Sequence, residues 1–131
     1  MTEERINTDA KWKEILDKDE YRVCREKGTE PRFSGKYNSF KENGLFACKC
    51  CDSELFSSED KYDSGSGWPS FSDTLKNNNV KENTDHSHNM IRTEITCSNC
   101  DSHLGHVFND GPQPTGMRYC VNSLSLKFKK S

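Results

Sequence analysis

The hydrophobic positions predict two short helices at the start of the chain. Trp12, Ile15 and Leu16 recur at the helical spacing of i, i+3 and i+4. Thr8 or Asp9 is suited to cap that helix at its N-terminus.

A second helix is predicted directly after the first. Asp17 followed by Glu20 has the spacing of a capping box. We expect this helix to run to about Lys27, because Gly28 is a favourable stop and Pro31 cannot continue a helix.

From residue 33 onward the pattern changes to short strands separated by Gly, Asn, Asp, Ser and Pro. Residues 90–97 alternate between apolar and polar side chains, which predicts a strand. Residues 63–69, 77–89 and 110–116 lack such a pattern and are predicted to be loops. The pattern favours a mainly antiparallel β domain with helices at its N-terminus.

Composition limits the size of the core. The chain has 131 residues, of which 31% are hydrophobic, and its mean hydropathy is −1.01. We expect one domain over 1–131, with a helical cap over 1–31 and a β core over 32–131. A core this small is often stabilised by a metal or by disulfides.

Charge and hydropathy disfavour several partners. The net charge is −2, with 19 basic and 21 acidic residues mixed along the chain. This predicts no nucleic-acid partner. The absence of a long apolar run predicts no membrane span, and the polar start suggests a cytoplasmic protein. We expect a monomer.

Four of the seven cysteines have the spacing of metal ligands. Cys48 with Cys51, and Cys97 with Cys100, form two Cys-x-x-Cys pairs, which suit a tetrahedral zinc ion. Four protein ligands leave no open position, so we expect the zinc to be structural. Unliganded thiols or a thioredoxin-like Cys-x-x-Cys are the alternatives.

The residues around Cys120 favour a role for its thiol as a nucleophile. If residues 116–123 form a strand, Arg118, Cys120 and Asn122 share one face. Positive charge beside a thiol favours the nucleophilic thiolate, and His103 and His106 lie upstream as candidate acids. The same pattern also fits a half-buried strand. A change of apolar phase predicts a bulge near Asn122.

Three long motifs resemble those of the methionine-R-sulfoxide reductases of the MsrB class. They are GWPSF at 67–71, CSNCDSHLGHVF at 97–108 and DGPQPTGMRYCVNS at 110–123. The segment REKGTEP at 25–31 also fits, so the resemblance covers nearly the whole chain.

This resemblance implies a fold of two small antiparallel β-sheets with N-terminal helices and a structural Zn²⁺. It implies that Cys120 attacks the sulfoxide sulfur of oxidised methionine, protein-bound or free, and becomes a sulfenic acid. Trp68 would receive the S-methyl group, and the polar side of the pocket would consist of His103, His106, Arg118 and Asn122. The oxygen would take a proton from His103 or from a water that it holds, and thioredoxin would be the reductant.

The chain departs from the family pattern at one position. Many members have a recycling cysteine where this chain has Ser66. Cys24 is then the expected resolving residue, with Cys50 or an external thiol as alternatives. Two other functions stay open from the residues alone, a non-catalytic zinc-stapled binding module and a redox sensor without turnover.

Overall fold

The computed structural model describes Trp12, Glu14 and residues 16–75, 78–86 and 90–130. The helix predicted from Thr8 or Asp9 to Leu16 lies mostly outside the described residues. A hydrogen bond from the Leu16 amide to the Trp12 carbonyl, at 2.8 Å, is described at its end.

The second predicted helix is confirmed as α1 (Lys18–Arg25). Its capping box is complete, with the Glu20 amide donating to Asp17 Oδ1 at 2.8 Å and the Asp17 amide donating to Glu20 Oε1 at 3.1 Å. The helix ends two residues earlier than predicted, because Lys27 has a φ of 59° and the Gly28 amide turns back to bond the Arg22 carbonyl.

The described chain forms nine strands in two sheets. They are β1 (Gly44–Cys48), β2 (Glu54–Ser57), β3 (Lys61–Tyr62), β4 (Ser70–Phe71), β5 (Val80–Asp85), β6 (Arg92–Cys97), β7 (His103–Phe108), β8 (Arg118–Val121) and β9 (Leu126–Lys130). The small sheet has the order β2-β1-β9 and the large sheet the order β3-β4-β8-β7-β6-β5. All pairings are antiparallel, which confirms the predicted mainly β fold of two sheets.

One predicted loop is partly a strand. Residues 77–89 were expected to be exposed loop, but β5 lies within them and pairs with β6. Its side chains are largely exposed, because β5 is the edge of the large sheet among the described strands and pairs there with β6. The polar composition of this segment therefore led to a wrong prediction for residues 80–85. The loops at 63–69 and 110–116 are confirmed, and β6 begins at Arg92, two residues after the predicted start.

The chain passes from the large sheet to the small one through a turn. A bulge was predicted near Asn122, but a 3₁₀ turn at Ser123–Ser125 connects β8 to β9 instead. A turn is needed because β8 and β9 belong to different sheets. The core joins both sheets, and the rings of Phe56 on β2 and Phe71 on β4 stack at 4.4 Å.

Among the described elements, none is a helix with the length and apolar character needed to cross a bilayer.

Candidate active site and metal centre

A pocket of about 300 Å³ opens beside Cys120 on β8. Cys120 lies opposite His106 of β7 on one side and Ser70 of β4 on the other. The pocket is lined by Thr29, Arg32, Ser66, Trp68, Arg92, His106, Phe108, Arg118, Cys120, Val121 and Asn122. Five of the seven residues predicted as catalytic or substrate-binding thus line one pocket, and the other two, His103 and Cys24, do not line it.

The Cys120 thiol is half-buried and predominantly protonated at neutral pH. Burial raises the pKa of Cys120 above its ordinary value of 9.0, while a contact with Ser66 and the charge of Arg118 act in the opposite direction. The Sγ of Cys120 lies 3.8 Å from the Oγ of Ser66. The predicted effect of Arg118 is therefore present, but burial outweighs it.

Arg118 is held in place by an exposed carboxylate and an aromatic ring. Its Nε and Nη2 atoms donate to the two oxygens of Asp110 at 2.9 and 3.3 Å. Its guanidinium lies 4.4 Å from the ring centre of Phe108. The pKa of Arg118 is raised, chiefly by the hydrogen bond to Asp110, so the guanidinium is a fixed positive charge beside Cys120.

Trp68 forms part of the pocket wall from an irregular loop. Its indole Nε1 donates to the Glu30 carbonyl oxygen at 2.9 Å. The preceding residue, Gly67, has a φ of 95°, which an L side chain rarely adopts. The carbonyl of Pro69 accepts the Val121 amide, which ties this loop to β8.

Asn122 is 3% exposed and both ends of its amide are already bonded to backbone. Its Oδ1 accepts from the Glu30 amide at 3.0 Å, and its Nδ2 donates to the Leu104 carbonyl at 3.1 Å. These two bonds hold the Asn122 side chain in the wall of the pocket.

A β-bulge brings the two histidines near each other. The β6–β7 register pairs Ile95 with Gly105 and Thr96 with His103, leaving Leu104 as an extra residue. Residues three apart in a regular strand face opposite sides, but here the rings of His103 and His106 lie 5.6 Å apart.

His103 is buried and is absent from the pocket lining. Its Nδ1 contacts Glu94 Oε2 at 2.7 Å, and its Nε2 has no hydrogen-bond partner among the described residues. Burial raises the pKa of Glu94, but the hydrogen bond to His103 and nearby positive charges outweigh burial and lower it. Glu94 is therefore a carboxylate that holds the imidazole in one orientation.

His106 lines the pocket and pairs with Asp85 on the neighbouring β5 strand. The His106 Nε2 lies 2.7 Å from Asp85 Oδ2. Burial lowers the pKa of His106, and this outweighs the opposing contact with Asp85. Neither Asp85 nor Glu94 was predicted, because each is far from its histidine in sequence and only the register of β5, β6 and β7 pairs them.

The four predicted metal ligands form one cluster. The Sγ atoms of Cys48, Cys51, Cys97 and Cys100 all lie within 4.8 Å of one another. Cys48 and Cys100 are 3.6 Å apart, and Cys51 and Cys97 are 3.5 Å apart. A tetrahedral zinc ion with Zn–S bonds of about 2.3 Å separates its sulfurs by about 3.8 Å. The cluster is therefore positioned to bind a metal ion.

The two pairs are presented by similar turns. In one, the Asp52 amide donates to the Cys48 carbonyl, and in the other the Asp101 amide donates to the Cys97 carbonyl. Asp52 and Asp101 have φ values of 71° and 63°, as this tight turn requires. Each turn directs both sulfurs of its pair to a common point.

The two remaining cysteines lie away from the pocket. Cys24 on α1 is 1% exposed, and its Sγ lies 3.6 Å from the Leu124 carbonyl and 3.9 Å from Ser125 Oγ. The thiol of Cys50 lies 3.7 Å from Ser102 Oγ. Neither cysteine lines the pocket that contains Cys120.

Comparison with known proteins agrees with this geometry. The SelR domain family model matches residues 16–130. The chain belongs to this family. It is 57% identical over 122 residues to the peptide methionine sulfoxide reductase MsrB of Acinetobacter baylyi, covering 93% of this chain and 88% of the relative. The protein of the same name from Herminiimonas arsenicoxydans is 56% identical over 128 residues, covering 98% and 93%.

The MsrB resemblance deduced from the motifs is thereby confirmed. Several pocket residues of this SelR chain were not predicted from its sequence, among them Thr29, Arg32, Arg92 and Phe108. Thr29 and Phe108 lie inside the family motifs quoted above, so the sequence contained a signal for these two residues. Arg32 and Arg92 lie outside the motifs and were recognisable only from the structure.

Proposed function

We propose that this protein reduces methionine-R-sulfoxide to methionine, acting on protein-bound and free substrate. The proposal rests on one observation above all, the half-buried Cys120 thiol in a pocket shared with Trp68 and Arg118, in a chain of the MsrB family. Trp68 supplies an apolar surface for the S-methyl group, and Arg118 supplies a fixed positive charge beside the sulfur.

The reaction begins at Cys120. The thiol gives up its proton and the thiolate sulfur attacks the sulfoxide sulfur, while the sulfoxide oxygen takes a proton. The oxygen is transferred to Cys120, methionine leaves, and Cys120 becomes a sulfenic acid. Two further thiols then reduce the sulfenic acid to thiol and water and are themselves joined as a disulfide.

His103 is the proposed source of the proton, directly or through a water. Its Nε2 is buried without a partner among the residues described, which leaves that atom available for a water or the substrate. Glu94 holds the imidazole in one orientation through its contact with Nδ1. His106, Arg118 and Asn122 are proposed to complete the polar side of the pocket, with Asn122 acting mainly on its shape.

Cys24 is the proposed resolving residue and thioredoxin the proposed reductant. The thiol of Cys24 contacts Leu124 and Ser125 and does not line the pocket of Cys120, so we expect α1 to shift before the two sulfurs bond. A disulfide needs Cα atoms closer than about 7 Å. Recycling through Cys50 and direct reduction by an external thiol are the two competing routes.

The metal of the four-cysteine cluster is proposed to be zinc. Four thiolates match its preferred ligands and leave no open position, so its role would be structural. We also propose a cytoplasmic location, because seven cysteines with no disulfide among them suit a reducing compartment. A monomeric state is likewise proposed. The division into a cap over 1–31 and a core over 32–131 stays a prediction.

One turnover with methionine-R-sulfoxide and no reductant tests the proposal. Methionine should appear in an amount equal to the enzyme, with Cys120 oxidised, and Cys120→Ser should form none. Peptide mapping then separates the recycling routes, since a Cys24–Cys120 disulfide supports Cys24 and a Cys120 sulfenic acid with reduced Cys24 supports an external thiol. If the wild type forms no methionine, a zinc-stapled binding module becomes the better account. If peroxide then oxidises Cys120 although no sulfoxide is reduced, a redox sensor becomes the better account.

A further inference from the structure

Glu30 is a buried acidic residue that the reaction described above does not use. It is 1% exposed, although glutamate is almost never fully buried without a partner. It lies between α1 and β1, in a segment of the chain that has no regular secondary structure. Burying a carboxyl group is costly, so its position calls for a specific reason.

Three hydrogen bonds join Glu30 to the pocket and to the end of β8. Its backbone carbonyl accepts the indole Nε1–H of Trp68 at 2.9 Å, and its backbone amide donates to Asn122 Oδ1 at 3.0 Å. Its side-chain Oε1 accepts the Leu124 amide at 2.9 Å. One residue thus connects the wall of the pocket with the turn that follows Cys120.

The side chain is the part of Glu30 that fixes the other two bonds. A backbone carbonyl in an irregular segment has no strand or helix to orient it, whereas the Oε1 contact ties the segment to the 3₁₀ turn at Ser123–Ser125. The opposite oxygen, Oε2, packs against Gly35, where an added Cβ would overlap both Glu30 Oε2 and Ser123 Oγ. A side chain at position 35 would therefore displace this carboxyl.

We propose that Glu30 is a positioning residue, whose buried carboxyl sets the place of Trp68 and Asn122 around the substrate's S-methyl group. This inference rests on the proposed function, because it assigns Trp68 as the surface that receives the methyl. It predicts that Glu30 determines which S-alkyl groups the pocket accepts. A displaced indole leaves room for a larger group and contacts a methyl group less well.

Two substitutions test the hydrogen-bond acceptor of Glu30. Glu30→Gln keeps the Oε1 acceptor and should retain the wild-type KM and the preference for methionine sulfoxide over ethionine sulfoxide. Glu30→Ala removes the acceptor and should raise the KM for methionine-R-sulfoxide about tenfold, with a smaller change in kcat, as the loss of one buried anchoring bond implies. It should also lower the preference for methyl over ethyl by a similar factor.

A control variant separates positioning from stability. Leu55→Val alters a fully buried residue of β2 that does not line the pocket, and it should lower the Tm without changing the methyl-to-ethyl preference. An unchanged preference in Glu30→Ala, at a Tm loss like that of Leu55→Val, would overturn the proposal. If Glu30→Ala does not fold, Glu30→Asp serves the same comparison, because its shorter side chain withdraws the acceptor from the Leu124 amide.

A second readout does not depend on activity. The chain has two tryptophans, so in a Trp12→Phe background the tryptophan fluorescence comes from Trp68 alone. Acrylamide should quench Trp68 more strongly in Glu30→Ala than in Glu30→Gln or Leu55→Val, all measured well below their Tm. Equal quenching would contradict the proposal. An inactive wild type with this quenching pattern would reject the reductase function and still support the positioning of Trp68 by Glu30.

Discussion

At the scale of single residues, the pKa of the Cys120 thiol is set by effects that oppose each other. Burial acts through the whole environment and raises the pKa of Cys120, while Ser66 and Arg118 lower it through local contact and charge. Because burial prevails, the resting thiol is mostly protonated at neutral pH. The nucleophile therefore needs a base or the bound substrate to release its proton.

The pH dependence of Cys120 alkylation follows from this balance. A raised pKa means that the thiolate fraction, and with it the rate of modification by iodoacetamide, keeps rising with pH beyond the ordinary value of 9.0. Arg118→Ala should shift the midpoint to still higher pH, since the stabilising charge is lost. Arg32→Ala is the matched control, because Arg32 lines the pocket but is not among the groups that shift Cys120. A wild-type midpoint below 9.0 would contradict this prediction.

Ser66 offers a test of the missing recycling thiol. Its Oγ is 3.8 Å from the Cys120 sulfur, so a thiol at this position starts in van der Waals contact with that sulfur. In a Cys24→Ser background, Ser66→Cys should form a disulfide with Cys120 after one turnover, detected by peptide mapping. Ser64→Cys is the control, since Ser64 contacts Ser66 and Ser70. Equal disulfide yields in both variants would contradict the role of proximity.

At the scale of elements, α1 shows local sequence and tertiary contacts acting together. Its start is set by the reciprocal bonds between Asp17 and Glu20. Its place in the molecule is set by long-range contacts, including Arg25 Nη1 to the Cys100 carbonyl at 2.9 Å and Lys49 to Glu20 at 3.1 Å. The helix therefore lies against both cysteine turns.

Removing the cap of α1 has a predictable effect. Asp17→Ala leaves the Glu20 amide without its partner and should lower the free energy of unfolding by about 1 kcal/mol. Urea unfolding followed by circular dichroism measures this change. Asp19→Ala, in the same first turn but without a capping bond, should cost clearly less. Equal losses in the two variants would show that charge in the first turn, rather than the cap, stabilises the helix.

At the scale of the whole molecule, the cysteine cluster joins the two sheets. Cys48 ends β1 of the small sheet, whereas Cys97 ends β6 of the large one. A metal ion bound here would close a long loop of chain and hold the two sheets together. Since the core is small, we expect a large share of the stability to come from this ion.

Loss of the metal should therefore unfold the protein rather than only inactivate it. Cys51→Ser should lower the metal content well below one ion per chain and reduce the Tm by far more than Cys50→Ser. Cys50 is the matched control, because it lies beside the cluster but is not one of its four sulfurs. Metal analysis and thermal unfolding provide the measurements. A similar Tm for both variants would contradict a structural metal.

Much of this protein was predictable from its sequence, for reasons of local chemistry. The Cys-x-x-Cys spacing alone identified Cys48, Cys51, Cys97 and Cys100, because a short turn directs both sulfurs of a pair to one point. The capping box of α1 was likewise a local signal. The motif around Cys120 identified the family, and strand alternation placed Arg118 and Cys120 on one face.

The tertiary structure alone decided the rest. A bulge at Leu104 brings His103 near His106, strand register gives them Glu94 and Asp85, and chain folding places Glu30 between Trp68 and Asn122. Each pairing joins residues that are distant in sequence or out of strand phase, so no local pattern encodes it. The free energy of a buried contact depends on what surrounds it, and those surroundings exist only once both sheets have formed.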